Sequence, residues 1–441
     1  MKLAAADCME GDVMPSLKSG PVALRPAAAT SVEAQAGPER RIRLLVFTSL
    51  YPNAAQPRHG VFVEERLRHL LDSSRINATV MAPVPWFPFK HKRLGAYATF
   101  ARVPKREQRH GIEILHPRYP VIPKVGMSIA PSLMYRALLP VLRKLMASAD
   151  CFDIIDAHYF YPDGVVATRL GEAIGKPVVI TARGSDVNQI SRHRWPRRQM
   201  QWAAEQAAAV VTVSQALKEK VVALGVDADK TTVLRNGVDL ERFRLLDRAS
   251  IRAGMGLTEA VWLAVGHLVE LKGVHLTLAA LAKTPDVTLL IAGEGPEEGH
   301  LRRMVERLAL GARVRFLGTL PQAKLCDYYN AADVLVLASS REGMPNVVLE
   351  SLACGTPVIA APFESAAEVI NTPEAGVVAT ERSAEAIASA WLRLRERTPT
   401  RAAVRGVAER LGWGPIVDAQ CALYASVVEK WSTDARSGAV S

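Results

Sequence analysis

The chain of 441 residues carries 55 Lys and Arg against 44 Asp and Glu, a formal charge of +11, and is 49% hydrophobic. Length and apolar content exclude a single small domain and predict two sizeable cores. The charge predicts anionic partners, among which composition does not separate nucleic acid, an acidic membrane surface and phosphorylated small molecules. Five cysteines, at 8, 151, 326, 354 and 421 and without a C-x-x-C pair, argue against a disulfide framework or a structural zinc site and fit a reducing cytoplasm.

Asp7, Glu10 and Asp12 interrupt the N-terminus before an apolar signal core can form, and no later run approaches the ~20 apolar residues that cross a bilayer, so a soluble or peripheral protein is expected. Residues 1–40, rich in Ala, Pro, Ser and Gly, read as a disordered tail. From Arg41 short apolar runs alternate with helical patterns: strand 42–47, helix 61–71 and strand 77–84, then helix 128–148, strand 153–157, helix 164–174, strands 177–181 and 209–213, helix 215–224 and strand 232–235. After a polar segment the pattern restarts, with strands at 260–265, 287–291, 313–317, 333–337 and 357–361, each followed by a helical stretch. The expected organisation is two α/β units of parallel sheet, 41–240 and 241–400, with helices over 401–435 that could pack back on the first. Ligands of such sheets bind beyond the carboxyl ends of the strands, which places the cleft between two facing units.

The run Glu342-Gly-Met-Pro-Asn-Val-Val-Leu-Glu350 joins two carboxylates to a helix start. Pro345 fits the first helical position, leaving the amides of Asn346 and Val347 free to meet a phosphate; Gly355 ends the helix and Pro357 prevents its continuation. A second anion site is predicted in Ala264-Val-Gly-His-Leu-Val-Glu-Leu-Lys272-Gly273, where Gly266, His267 and Lys272 stand between a strand end and a helix. Lysine 4 Å from a phosphate contributes ~4 kcal/mol of gross attraction near a protein surface.

With these motifs, and with VVTVSQALKE at 210–219, TVLRNGVDLERF at 232–243 and SLYPNAAQPRHGVFVEE from Ser49, the chain resembles the family 4 glycosyltransferases from Arg41 to about Trp431. That resemblance implies the GT-B fold, two Rossmann-like doubly wound domains facing across a cleft. It also implies transfer, with retention, of a hexose from a nucleoside diphosphate sugar to a hydroxyl acceptor, without metal or cofactor. Glu350 would bind the donor ribose, while Glu342 and the amides of Gly343, Met344, Asn346 and Val347 would bind the transferred sugar. Lys272 would hold the departing diphosphate, with Gly60 near the phosphates. Gly266 and His267 would border it, and Gly293, Leu317, Gly318 and Thr319 would wall the base. Glu342 reads as a positioner rather than a nucleophile. An epimerase or glycan phosphorylase of the same fold, or a noncatalytic nucleotide-sugar or lipid-binding module, is the alternative.

Three positions depart from the family pattern: His267 where a second cation is usual, charged only below its ordinary pKa of ~6.5; Arg183 where relatives carry histidine; and Glu364-Ser365 in place of a glycine pair before Glu368. His158, at a strand end, faces the expected cleft and joins Glu342, Lys272 and Arg183 as a catalytic candidate. Asp227-Ala-Asp229 reads as a turn rather than a metal motif, and Cys354 as a small buried residue. Trp86, Phe87 and Phe89 beside Lys90–Arg93, with a second cluster at Arg192–Arg198, suit an anionic membrane face and a lipid-linked glycan acceptor. No nucleic-acid recognition motif accompanies them, so no nucleic-acid partner is expected.

Overall fold

The computed structural model describes residues 40–86, 96–121, 128–147 and 151–437. The expected tail up to residue 39, and Phe87, Phe89 and Lys90–Arg93, lie outside the described residues. From Arg40 onward both sheets belong to one compact unit.

In the first lobe the strands are Ile42–Phe47 (β1), Ile76–Met81 (β2), Val84–Pro85 (β3), Arg106–Arg109 (β4), Ile112–Leu115 (β5), Arg118–Tyr119 (β6), Ile154–His158 (β7), Val178–Ala182 (β8), Ala209–Thr212 (β9) and Thr231–Val233 (β10). Eight form one sheet in the order β10-β9-β8-β7-β1-β2-β5-β4, while β3 and β6 pair separately. All pairs of the large sheet are parallel except β4 with β5. The second lobe holds Ala260–Val265 (β11), Val287–Ala292 (β12), Val314–Gly318 (β13), Val334–Leu337 (β14), Val358–Ala360 (β15) and Gly376–Val378 (β16), all parallel in the order β13-β12-β11-β14-β15-β16. The strand order reverses between β1 and β7 in the first sheet and between β11 and β14 in the second. Loops leaving those strands in opposite directions open a crevice at each point.

Central strands are apolar runs because helices cover both faces of a parallel sheet. Successive residues of β1 alternate between two cores: Leu45 and Phe47 face the helices Ala130–Met146 and Val165–Ile174, while Leu44 and Val46 face Val61–Asp72 and the last helix, Trp413–Ser437. That last helix buries Trp413, Val417, Cys421, Tyr424 and Val427 against the first sheet, although the chain reaches it only after completing the second lobe.

Several features differ from the expected elements, among them a sixth strand of the second sheet, Gly376–Val378. The strand expected at 77–84 ends at Met81, and Val84–Pro85 pairs instead with β6. The hairpin of β4 and β5 was not expected, because Arg106-Glu-Gln-Arg109 is a charged edge strand without an apolar face. The basic cluster at 192–198 runs into a helix, Arg194–Gln206, which buries Pro196, Met200, Ala203 and Ala204 on one side. Finally, Pro345 is the N-cap, with extended backbone (ψ 104°), and the helix begins at Asn346. The offset of one residue reverses nothing chemically, since Asn346 and Val347 now occupy the first two helical positions, where no internal acceptor exists for an amide.

Candidate active site

The crevice of the second sheet is built by the loops after β11 and β14. They run against each other so closely that a Cβ on Gly273, whose φ is +67°, would lie 2.1 Å from the carbonyl oxygen of Ala338. This contact brings Lys272 over Glu342: Nζ donates to Oε1 at 2.6 Å, with the side chains 25% and 13% exposed. The helix Asn346–Ala353 starts four residues beyond Glu342 and turns Glu350 inward, where its Oε2 accepts from the Tyr329 hydroxyl at 2.7 Å. Burial pushes the Glu350 carboxyl up to about 7, opposed by the Tyr329 bond.

A cavity of about 1080 Å³ lies between the lobes, lined on the first side by Gly60, His59 and Phe62 and on the second by Gly266, His267, Gly293, Gly295 and Thr319. Lys272 and Glu342 are not among its lining residues, but Lys272 Cε would stand 3.8 Å from a Cβ on Gly266, so the ion pair borders it. His267 Nδ1 donates to the Glu294 carbonyl at 2.6 Å, which fixes the proton on that nitrogen and turns Nε2 outward. Leu317 packs against the core instead of lining the cavity. Met344 likewise buries its side chain, leaving only its backbone for a ligand.

The first sheet's crevice is organised differently. Asp163 is fully buried behind the end of β7 and accepts from the Ser49 amide at 2.6 Å and hydroxyl at 2.8 Å; the Ser49 carbonyl accepts from His59 Nε2 at 3.1 Å. Thus Asp163 fixes the loop that leads to Gly60. Burial pushes its carboxyl up to about 7, and its Oδ1 has no hydrogen-bond partner. Sequence reading passed over Asp163; the only signal was its place in Tyr-Pro-Asp-Gly directly after a strand.

His158 is corrected by the structure. Rather than facing the cleft it is 2% exposed, with both nitrogens engaged: Nε2 lies 3.0 Å from Asp156 and Nδ1 2.7 Å from Arg183 Nη2. Arginine can only donate, so Nδ1 accepts and Nε2–H points to Asp156, making the ring neutral. Burial holds the His158 pKa below its usual value. At Asp156 burial works upward, but His158, Tyr424 and Arg66 outweigh it and keep the carboxylate ionised. The Tyr424 hydroxyl donates to Asp156 at 2.7 Å and also meets Gln420, which accepts from Arg66 Nε at 2.6 Å. This buried chain of polar groups ties the cleft to the last helix, and a ring so held is not available as a base.

The lobes meet along a seam. The carbonyl oxygen of Arg183 would lie 2.3 Å from a Cβ on Gly343, so only glycine admits the first lobe here. Asn236 Nδ2 donates to Asn346 Oδ1 at 2.8 Å, and Glu368 accepts from the amides of Gln215 and Ala216, each at 2.8 Å, and from Arg235. Of the pair standing where two glycines are usual, Glu364 is drawn off to Lys220 at 2.5 Å, while Ser365 is buried and donates to the Glu342 carbonyl at 3.3 Å. Asp186 does not pair with the guanidinium of Arg183; it accepts from the backbone amides of Phe160, Arg183, Gly184 and Val187. Asp227 accepts from the Asp229 amide, as a turn does.

Residues 248–409 match the family described as Glycosyl transferases group 1, and residues 117–242 match Glycosyltransferase Family 4. The chain is 30% identical over 310 residues to D-inositol 3-phosphate glycosyltransferase 2 of Catenulispora acidiphila, covering 63% of this chain and 71% of that one. It is 29% identical over 361 residues, 80% of this chain and 89% of the other, to TuaC of Bacillus subtilis, whose name places it provisionally in teichuronic acid biosynthesis as a glycosyltransferase. Among solved structures, Alr3699/HepE of Anabaena in complex with UDP superposes with a TM-score of 0.68 at 22% identity, covering 88% of this chain and 100% of that one. The chain belongs to glycosyltransferase family 4. It is a glycosyltransferase of GT-B fold, and among the described residues no helix is long and apolar enough to cross a membrane.

Proposed function

We propose that the protein transfers a hexose, with retention, from a nucleoside diphosphate sugar to a hydroxyl group of a glycan or lipid-linked acceptor in polysaccharide synthesis, without a metal or cofactor. The observation that carries this reading is the meeting of Lys272, Glu342 and the start of the Asn346 helix beside an interlobe cavity. Breaking the anomeric bond develops negative charge on the diphosphate, which a fixed cation and aligned amides stabilise without reorganising. In that state Lys272 exchanges Glu342 for phosphate oxygens, and the released carboxylate accepts from the sugar hydroxyls. Glu350, buried beside the nucleotide side of the helix, supplies a carboxyl for the ribose. A nucleoside diphosphate as the leaving group is in keeping with the UDP held by the Anabaena protein, and a glycan product with the name of the Bacillus relative.

The acceptor side is read from charge. Segments 128–147 and 189–202 contain no carboxylate, and Arg136, Arg143, Lys144, Arg194, Arg197 and Arg198 are exposed beside Trp195, which is 62% exposed. Such a face suits an anionic membrane carrying the acceptor, each cation adding ~1 kcal/mol near the surface.

The test is release of nucleoside diphosphate from a panel of UDP-, GDP- and ADP-sugars, with the anomeric configuration of the product read by NMR. Lys272→Ala and Glu342→Ala are each expected to lower turnover by roughly two to three orders of magnitude. Unchanged transfer in either variant, or an inverted product, refutes the assignment.

A further inference from the structure

Arg183 stands directly beside the proposed transfer site. It follows β8, its backbone rests on Gly343, and its guanidinium reaches two landmarks of the cleft: Nη1 donates to Asn236 Oδ1 at 3.3 Å, and Asn236 in turn holds Asn346, while the charge sits 5.2 Å from the centre of the Phe62 ring on the cavity wall. Its other hydrogen-bond partner is His158, a neutral ring, and Nε has no partner. The two nearby carboxylates are spent elsewhere, Asp156 on His158 and Tyr424, Asp186 on four backbone amides. Among the described residues no carboxylate is in contact with the Arg183 guanidinium: Asp156 and Asp186 act on it only from a distance, and the repulsion of the fully buried Arg66 opposes their pull.

A half-buried cation whose carboxylates are all held out of contact gains from a ligand that brings one into contact. Hydroxyl groups of a neutral sugar would be served by an uncharged donor, whereas a planar guanidinium matches a carboxylate. We propose that Arg183 is a specificity residue that receives the carboxylate of an acidic sugar, carried to the cleft either by the donor or by the acceptor. This rests on the reading of the cleft as the transfer site.

The test compares probes that differ only in that acid. Calorimetry measures UDP, UDP-glucose against UDP-glucuronate, and GDP, GDP-mannose against GDP-mannuronate; in a second arm, glucose-terminated and glucuronate-terminated oligosaccharides are titrated into protein loaded with the nucleoside diphosphate that binds. The expected result is a preference for the acid of roughly ten- to hundredfold in one arm, the usual worth of a charged hydrogen bond. That preference disappears in Arg183→Gln and is reduced without being lost in Arg183→Lys, which keeps the charge but not the planar fork. The first arm assigns the acid to the donor, the second to the acceptor. Equal affinities in both arms overturn the inference, as does a preference that survives Arg183→Gln, or a loss of UDP affinity in Arg183→Gln as large as that for UDP-glucuronate, which would give Arg183 to the diphosphate. Nucleotide binding without acid preference removes only this inference; failure of both UDP and GDP to bind brings down the reading of the cleft beneath it.

Discussion

The two sheets reverse strand order at equivalent places, yet the chain treats the two crevices in opposite ways. Beyond β7 and β8 the polar groups are linked in a buried line from His158 through Asp156, Tyr424 and Gln420 to Arg66, with Arg183 at its cleft end. Beyond β11 and β14 a single partly exposed ion pair, Lys272 with Glu342, stands at the edge of open space. The first arrangement is scaffold, since removing any member strands a buried neighbour. The second is a pair of groups whose partners a ligand can replace at small loss.

That contrast is broken most severely at Asp156. Asp156→Ala leaves His158 and Tyr424 without their shared acceptor and the buried Arg66 without a nearby negative charge, and chemical denaturation is expected to show a loss of ~3–5 kcal/mol. Lys272→Ala, though damaging to turnover, should move the same denaturation midpoint by less than about 1 kcal/mol, because its pair is partly exposed. Comparable losses from the two variants would erase the distinction between scaffold and site.

Asp163 sharpens it through pH. Its folded carboxyl titrates near 7, against ~3.9 in an unfolded chain, so between those values the folded state holds a proton that the unfolded state has released. Stability from this group is therefore greatest below pH ~4, falls as pH rises toward 7 and is level above, with a total change on the order of a few kcal/mol. Urea midpoints at pH 5 and pH 7.5 should differ less in Asp163→Asn than in the natural chain; identical slopes would place the titration elsewhere. The smallest effect belongs to the half-exposed interlobe pair, where Lys220→Ala is expected to shift the thermal midpoint by an amount worth less than about 1 kcal/mol, diminishing further in high salt.

The second crevice was legible in the sequence because its parts are local: Lys272 adjoins Gly273, and Glu342, Pro345 and Glu350 share one helix start. The first was not. His158 and Arg183 lie on neighbouring strands, and Tyr424 reaches Asp156 from 268 residues away, a distance no periodicity encodes. His158 consequently read as a cleft residue when it is a buried link. The same limit hides the partner of Glu364, since Lys220 lies across the seam and 144 residues away in sequence. The edge hairpin failed for another reason: a strand of Arg, Glu and Gln paired through its backbone carries no side-chain pattern to detect.

The return of Trp413–Ser437 to the first lobe has a consequence for synthesis. That helix emerges 180 residues after β10 ends at Val233, a lag of roughly 10–35 s at ordinary translation rates. Until then the nascent first lobe has Arg66 and Asp156 without their lids and an apolar sheet face bare to water, so the ribosome-bound chain is exposed to aggregation through the whole manufacture of its second half.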